Sequence, residues 1–231
     1  MLLFLGNTLF MATSLIVVVI NMLLFLPMHE CAHGLVALKL GDPTAKYSRR
    51  LTLNPIRHID PLGAILMLLV GFGWAKPVPI NPRNFPKPRR DMAVSAAAGP
   101  ISNLLAALLF MVIATLIMRF FPQALLSSQI LSVSGTDYQV NLLSFFFFYS
   151  VFLNITLAVF NLIPVPPLDG SHIFGALLPA RTYNRMMSTR NIQFILMLAV
   201  LAAGRYVLYP ITSFLFNGLN ALFGSPILYT A

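Results

Sequence analysis

Four long apolar runs constrain this chain more than any other feature. They extend approximately over Thr8–Met28, Met92–Phe120, Asn141–Ile163 and Ile192–Tyr209, and a helix needs roughly 20 such residues to cross about 30 Å of hydrocarbon. Only 9% of the 231 residues are charged and 58% are hydrophobic, with a mean hydropathy of +0.83. Too few polar groups remain to cover a water-facing surface, and lipid is the natural solvent for the excess. The expected fold is an all-α polytopic membrane protein with about four transmembrane helices. It forms one integral domain over 1–231, without a soluble domain, internal repeat or low-complexity tail. The phenylalanine run Phe145–Phe148 is expected to face lipid.

A fifth apolar stretch, Leu62–Trp74, is too short to cross. Its 13 residues reach about 20 Å as a helix. Lys39, Lys46, Arg49, Arg50 and Arg57 precede it, and Lys76, Arg83, Lys87, Arg89 and Arg90 follow it. Under the positive-inside rule both flanks are cytoplasmic, so the segment is re-entrant. Gly63, Gly71 and Gly73, with the near-alternation in Tyr47–Asn54, favour a β-hairpin there over a helix.

Alternation orders the rest. The first span ends inside, Arg119–Asn141 is an external loop, and the third span returns to Arg181, Arg185 and Arg190. Thirteen of the 15 basic residues then lie inside. The formal charge of +9 is thus a topology signal and not a nucleic-acid signature. Pro210 interrupts the last apolar region, which makes Ile211–Phe223 an interfacial or docked helix. Cys31 stands alone, excluding an internal disulfide and any Cys-only metal site. No Lys or Arg precedes Lys39, and the first run exceeds a signal-peptide core, so a retained anchor is expected.

At the inner end of the first span stands His29-Glu30-Cys31-Ala32-His33. Residues four apart on a helix differ by about 40° in azimuth, so both imidazoles share one face and suit a single zinc ion, with Glu30 beside them as general base. The alternative is a chance pentapeptide with satisfied core histidines. Against it, two histidines and a glutamate at membrane depth each cost a few kcal/mol, and such residues default to function.

A hydrolytic zinc site commonly takes a third protein ligand. The other acids are Asp42, Asp60, Asp91, Asp137 and Asp169. Asp137 falls outside, and Asp42 and Asp91 sit among lysines and arginines that account for them as ion-pair partners. Asp169 lies at the inner end of the third span in Asn161-Leu162-Ile163-Pro164-Val165-Pro166-Pro167-Leu168-Asp169-Gly170. The prolines end the helix and Gly170 permits a tight turn, aiming the carboxylate inward; a turn-capping aspartate is the alternative. Were Leu62–Trp74 a true span, Asp169 would lie across the membrane from His29 and His33. The re-entrant reading puts all three at one level.

The chain resembles the site-2 proteases, the intramembrane zinc metalloproteases, in their compact bacterial form without PDZ or CBS domains. The likeness rests on the HECAH block, on Gly41-Asp42-Pro43-Thr44-Ala45, and on Leu51-Thr52-Leu53-Asn54-Pro55 with His58-Ile59-Asp60-Pro61. It rests also on Gly73-Trp74-Ala75-Lys76-Pro77-Val78-Pro79, on Ala98-Gly99-Pro100-Ile101-Ser102-Asn103, and on the proline-rich block running to Ser171. Cys31 and Arg50 depart from common choices, away from the presumed chemistry. The resemblance implies one zinc per chain on His29, His33 and Asp169, Glu30 as base, and transmembrane protein substrates, with the site toward the cytoplasmic side of a bacterial membrane.

Zinc-activated water, Glu30 and a polarised carbonyl leave one need, a donor for the oxyanion. Asn103 and His58 are the candidates; a helix-packing amide and a solvated loop histidine are the plainer readings. His172 is a candidate partner that orients a ligand. A substrate helix hides its carbonyls in hydrogen bonds and must unwind locally, so helix-weakening Gly, Pro or Asn is expected near its cytoplasmic end, and a re-entrant strand could hold it by edge addition. The rival classes are a metal-ion transporter or zinc-retaining scaffold, whose ionisable residues would be spread along a path through the bilayer, and an inactive homologue, against which Glu30 argues.

Overall fold

The computed structural model describes residues 8–70, 75–126, 129–133, 136–140, 142–188, 190–224 and 227. In chain order these form α1 (Thr8–Lys39), α2 (Thr44–Tyr47), α3 (Pro61–Val70), α4 (Pro88–Phe120), α5 (Pro122–Leu126), β1 (Gln129–Val133), β2 (Thr136–Val140), α6 (Leu142–Asn161), α7 (Asp169–Gly175), α8 (Ala180–Ser188) and α9 (Arg190–Leu222). The chain is overwhelmingly helical. Among the described residues three stretches are long and apolar enough to cross a bilayer: Leu15–Lys39, Pro88–Phe120 and Leu142–Asn161. A fourth is the bent pair Ile195–Gly204 and Tyr206–Leu222. Outward faces carry large apolar side chains, such as Ile16, Leu105, Leu109 and Ile195, as a lipid-facing bundle requires.

α4 is the central helix, packed on α1, α6 and α7. Its buried face is built from small residues, Ala96, Ala98, Gly99, Ala106, Ala107 and Ala114, which let neighbouring backbones approach closely. Val17, Asn21 and Phe25 of α1 are buried at four-residue spacing, one helical stripe, and the Phe25 ring meets Phe110 of α4 at 5.2 Å. The core away from the site joins Met111 and Ala114 of α4 to Phe147, Val151 and Ile155 of α6 and Phe216 of α9. The Phe145–Phe148 run therefore does not simply face lipid: Phe147 is buried, and Phe148 meets the Phe216 ring at 5.1 Å. A 20-residue helix between two neighbours turns part of any consecutive run inward.

The re-entrant segment differs from the expected hairpin. Residues 61–70 are helical, and 71–74 lie outside the described residues. Asp60 and Pro61 explain the helix: the Asp60 carboxylate accepts from Gly63 N at 2.9 Å, an N-cap with proline at the first helical position. Tyr47–Asn54 forms no strand either; Tyr47 ends α2 and Arg49 takes a φ of 53°. The flanks do meet, since Ile59 and Ala75 form an antiparallel bridge and Lys76 N donates to His58 O at 2.9 Å. Among the described residues a strand pair lies instead in the 119–141 loop, where β1 and β2 pair antiparallel from Gln129↔Val140 to Val133↔Thr136.

Pro210 does not end the last helix. α9 continues through it to Leu222 and bends by 54° between Gly204 and Tyr206. The proline ring clashes with the carbonyl four residues back, which is that of Tyr206, so the kink falls there.

Candidate metal centre

His29 and His33 occupy successive turns of α1, with Nε2 atoms 3.0 Å apart. Asp169 Oδ2, at the start of α7, lies 3.3 Å from His29 Nε2 and 3.4 Å from His33 Nε2. Four ligands at about 2.0–2.1 Å around a tetrahedral ion stand about 3.3 Å from one another, so the three spacings are those of one tetrahedral face. The donor chemistry agrees. His33 Nδ1 lies 2.8 Å from the Ser95 carbonyl, an acceptor only, so Nδ1 carries the proton and Nε2 presents its lone pair to the centre. Two imidazole nitrogens and a carboxylate oxygen collected this closely repel one another unless a cation sits among them. Zinc fits these residues.

α4 builds the floor. Ser95 Oγ donates to His33 O at 3.0 Å, so one serine fixes both the ring and the backbone of His33. Gly99 lies directly under the rings: a Cβ there would meet His29 Cε1 and His33 Cε1 at 2.5 Å and come closer still to His33 Nε2. Asp169 is delivered by the turns after α6, where Pro164, Pro166 and Pro167 lack donors. A Cβ on Gly170 would run into the Ile163 and Leu162 carbonyls, which is why the turn can be this tight.

The three ligand atoms open into a cavity of 580 Å³ that Glu30, Asn103, Asn161, His172 and Val78 also line, with Met197 of α9 on its wall. Glu30 Oε2 accepts from Val78 N at 2.7 Å. That leaves its second oxygen for the cavity. Asn103 is 1% exposed, and both atoms of its amide lack a partner, so a polar group aimed into the cavity has unspent hydrogen-bonding capacity. His58 is elsewhere. It is fully buried, its Nε2–H donates to Thr52 O at 2.8 Å, and it does not line the cavity. His172 lines the cavity and its Nδ1 lies 2.9 Å from Tyr183 Oη. Burial pushes its imidazole below the usual histidine range, although Asp169 pulls the other way.

Asn161 is a wall residue that sequence reasoning missed. Its Nδ2 donates to Leu157 O at 3.0 Å, leaving the amide oxygen and the second hydrogen for the cavity. The available signal was its place as the last residue of the helix before the prolines. Asp42 is also not what its basic neighbours implied. Its carboxylate accepts from Asn81 N and Asn84 Nδ2, each at 2.7 Å, and from the Thr44 hydroxyl and amide. Burial pushes this carboxyl up, but the donors outweigh it and hold it below the usual carboxylate range. Asp91, in contrast, pairs with Arg90 at 2.7 Å.

Residues 16–203 match the family described as Peptidase family M50. The chain is 42% identical over 194 residues to "Putative zinc metalloprotease YwhC" of Bacillus subtilis (strain 168), covering 83% of this chain and 84% of that protein. It is 30% identical over 169 residues to "Putative zinc metalloprotease Rip2" of Mycolicibacterium smegmatis (strain ATCC 700084 / mc(2)155), covering 71% of this chain and 57% of that protein. No solved structure matches the chain.

Proposed function

The chain belongs to peptidase family M50 and is a multi-pass membrane zinc metalloprotease; from that premise we propose that it cuts peptide bonds within or beside the transmembrane segments of other membrane proteins, as regulated intramembrane proteolysis requires, with its site toward the cytoplasm. The carrying observation is the convergence of His29, His33 and Asp169 on one point at the wall of a cavity that Glu30 and Asn103 share.

Zinc, when bound, supplies Lewis acidity and a water whose pKa falls to about 7. The chain's residues do the rest. Glu30 stands one residue from His29, and the Val78 amide holds one of its oxygens, so the free oxygen takes the proton of the attacking water. It later returns that proton to the leaving amine. Asn103 donates its amide N–H to the carbonyl oxygen as negative charge develops there, in a site where little water competes. Ser95 and Gly99 keep the imidazoles at their angle.

By the positive-inside reading thirteen of the 15 basic residues lie at one end of the bundle instead of marking a path through it, which favours hydrolysis over ion transport. The deciding experiment replaces Glu30 by Gln and follows a co-expressed single-span substrate. Loss of the cleavage product with zinc retained is expected, and equal processing by variant and wild type would sink the proposal.

A further inference from the structure

A second cavity, of 690 Å³, lies beside the segment 75–80, which also lines the catalytic cavity. Arg50, Arg57 and Lys76 line it together with Asn54, Ile56 and Pro79, and no acidic side chain is among its described lining residues. Ala75, Pro77, Val78 and Ile80 line the catalytic cavity, whereas Lys76 and Pro79 line this one. One extended segment thus separates the two.

Arg50 is the informative residue. It is 9% exposed, and its guanidinium donates to Lys76 O at 2.6 Å and Pro77 O at 3.2 Å, while its Nε has no partner. Among the described residues no carboxylate pairs with Arg50, Arg57 or Lys76. A buried cation satisfied only by carbonyls, with two more cations at the mouth, calls for an anion. The surroundings say which kind. Ile56, which lines the cavity, is 80% exposed, and Tyr47, Leu53 and Leu62 of the same stretch are also exposed. The chain passes from this loop directly into the apolar helix α3. Exposed large apolar side chains around a basic pocket, where the chain enters an apolar layer, match the headgroup level of a bilayer.

We infer that this cavity binds the phosphate headgroup of an anionic phospholipid, with Arg50, Arg57 and Lys76 on the phosphate and the Ile56 rim against the acyl chains. The bound lipid braces the segment whose Val78 amide holds Glu30. Binding does not depend on the proposed peptide cleavage, so either can fail alone.

The test is native mass spectrometry of the full chain in detergent, titrated separately with phosphatidylglycerol and phosphatidylcholine. The wild type retains phosphatidylglycerol preferentially. Arg57→Ala with Lys76→Ala removes two exposed, unpaired cations and weakens that binding by about 30-fold, with the melting temperature confirming an intact fold. Arg83→Ala with Arg181→Ala removes the same charge elsewhere and leaves the preference unchanged. Equal retention of the two lipids, or equal loss in both double variants, overturns the site. Retention of inorganic phosphate as tight as that of phosphatidylglycerol, or tighter retention of an acidic peptide, assigns the cavity to a soluble anion or a protein segment, and overturns the lipid.

Discussion

Gly99→Ala is the sharpest perturbation of the metal centre, because it adds one methyl group and removes nothing. The new carbon would stand 2.5 Å from both imidazole Cε1 atoms, whereas ordinary contact begins at 3.4 Å. The rings must yield by about 0.9 Å, or α1 and α4 must part by as much. Metal–ligand distances tolerate only about 0.2 Å, so the displacement exceeds what the site absorbs several-fold. Losing an outer hydrogen bond to a ligand lowers metal affinity by 10–100-fold in general; moving two ligands is expected to lower it by at least about 100-fold. Overpacking one methyl group destabilises the bundle by about 1–3 kcal/mol, too little to unfold a typical domain. The assay is zinc stoichiometry by elemental analysis against a graded chelator, with helix content followed on the same sample. The expected result is a helical, monodisperse, zinc-poor protein. Wild-type zinc content and affinity in Gly99→Ala would refute the claim that the floor of α4 sets the ligand geometry.

Three further outcomes follow from the same geometry. Asp169→Ala leaves two nitrogens to hold the ion and is expected to lose zinc at chelator concentrations the wild type withstands; unchanged stoichiometry and affinity would remove Asp169 from the site. Asn103→Ala is expected to lower kcat by about 10²–10³-fold with a smaller change in KM, and zinc content should stay whole; an unaltered kcat would leave Asn103 a packing residue. Asp42 has a folded-state pKa below its unfolded value, so it contributes stability above the unfolded pKa of about 3.9, and that contribution is lost as pH falls through the folded value. Asp42→Asn should therefore flatten the acid limb of a melting-temperature against pH curve while lowering the neutral plateau; an unchanged acid limb would remove Asp42 from that linkage.

Some features of this protein are local, and for that reason the sequence alone determined them. The spacing of His29 and His33 places both rings on one face of any helix that contains them. Four apolar runs with basic flanks demand a bundle in lipid. Even Asp169, distant in the chain, could be reached by elimination, since six acids in 231 residues leave few choices. The tertiary structure decided what depends on register between helices. Asn103 and His58 read as equal candidates in the chain. Packing α4 against α1 brings Asn103 to the cavity, while the Thr52 carbonyl holds His58 in its own loop. The Val78 amide that holds Glu30 is a backbone group, and no residue type announces it. Gly99 is only one residue of a block in the chain until the two imidazoles lie over it. The expected hairpin at 62–74 gave way to helix over 61–70 because a single cap, Asp60 with Pro61, outweighs scattered glycines. Side-chain chemistry and short-range periodicity are written along the chain. Which helix face meets which neighbour is a long-range packing result, and the donor positions around the metal centre follow from it.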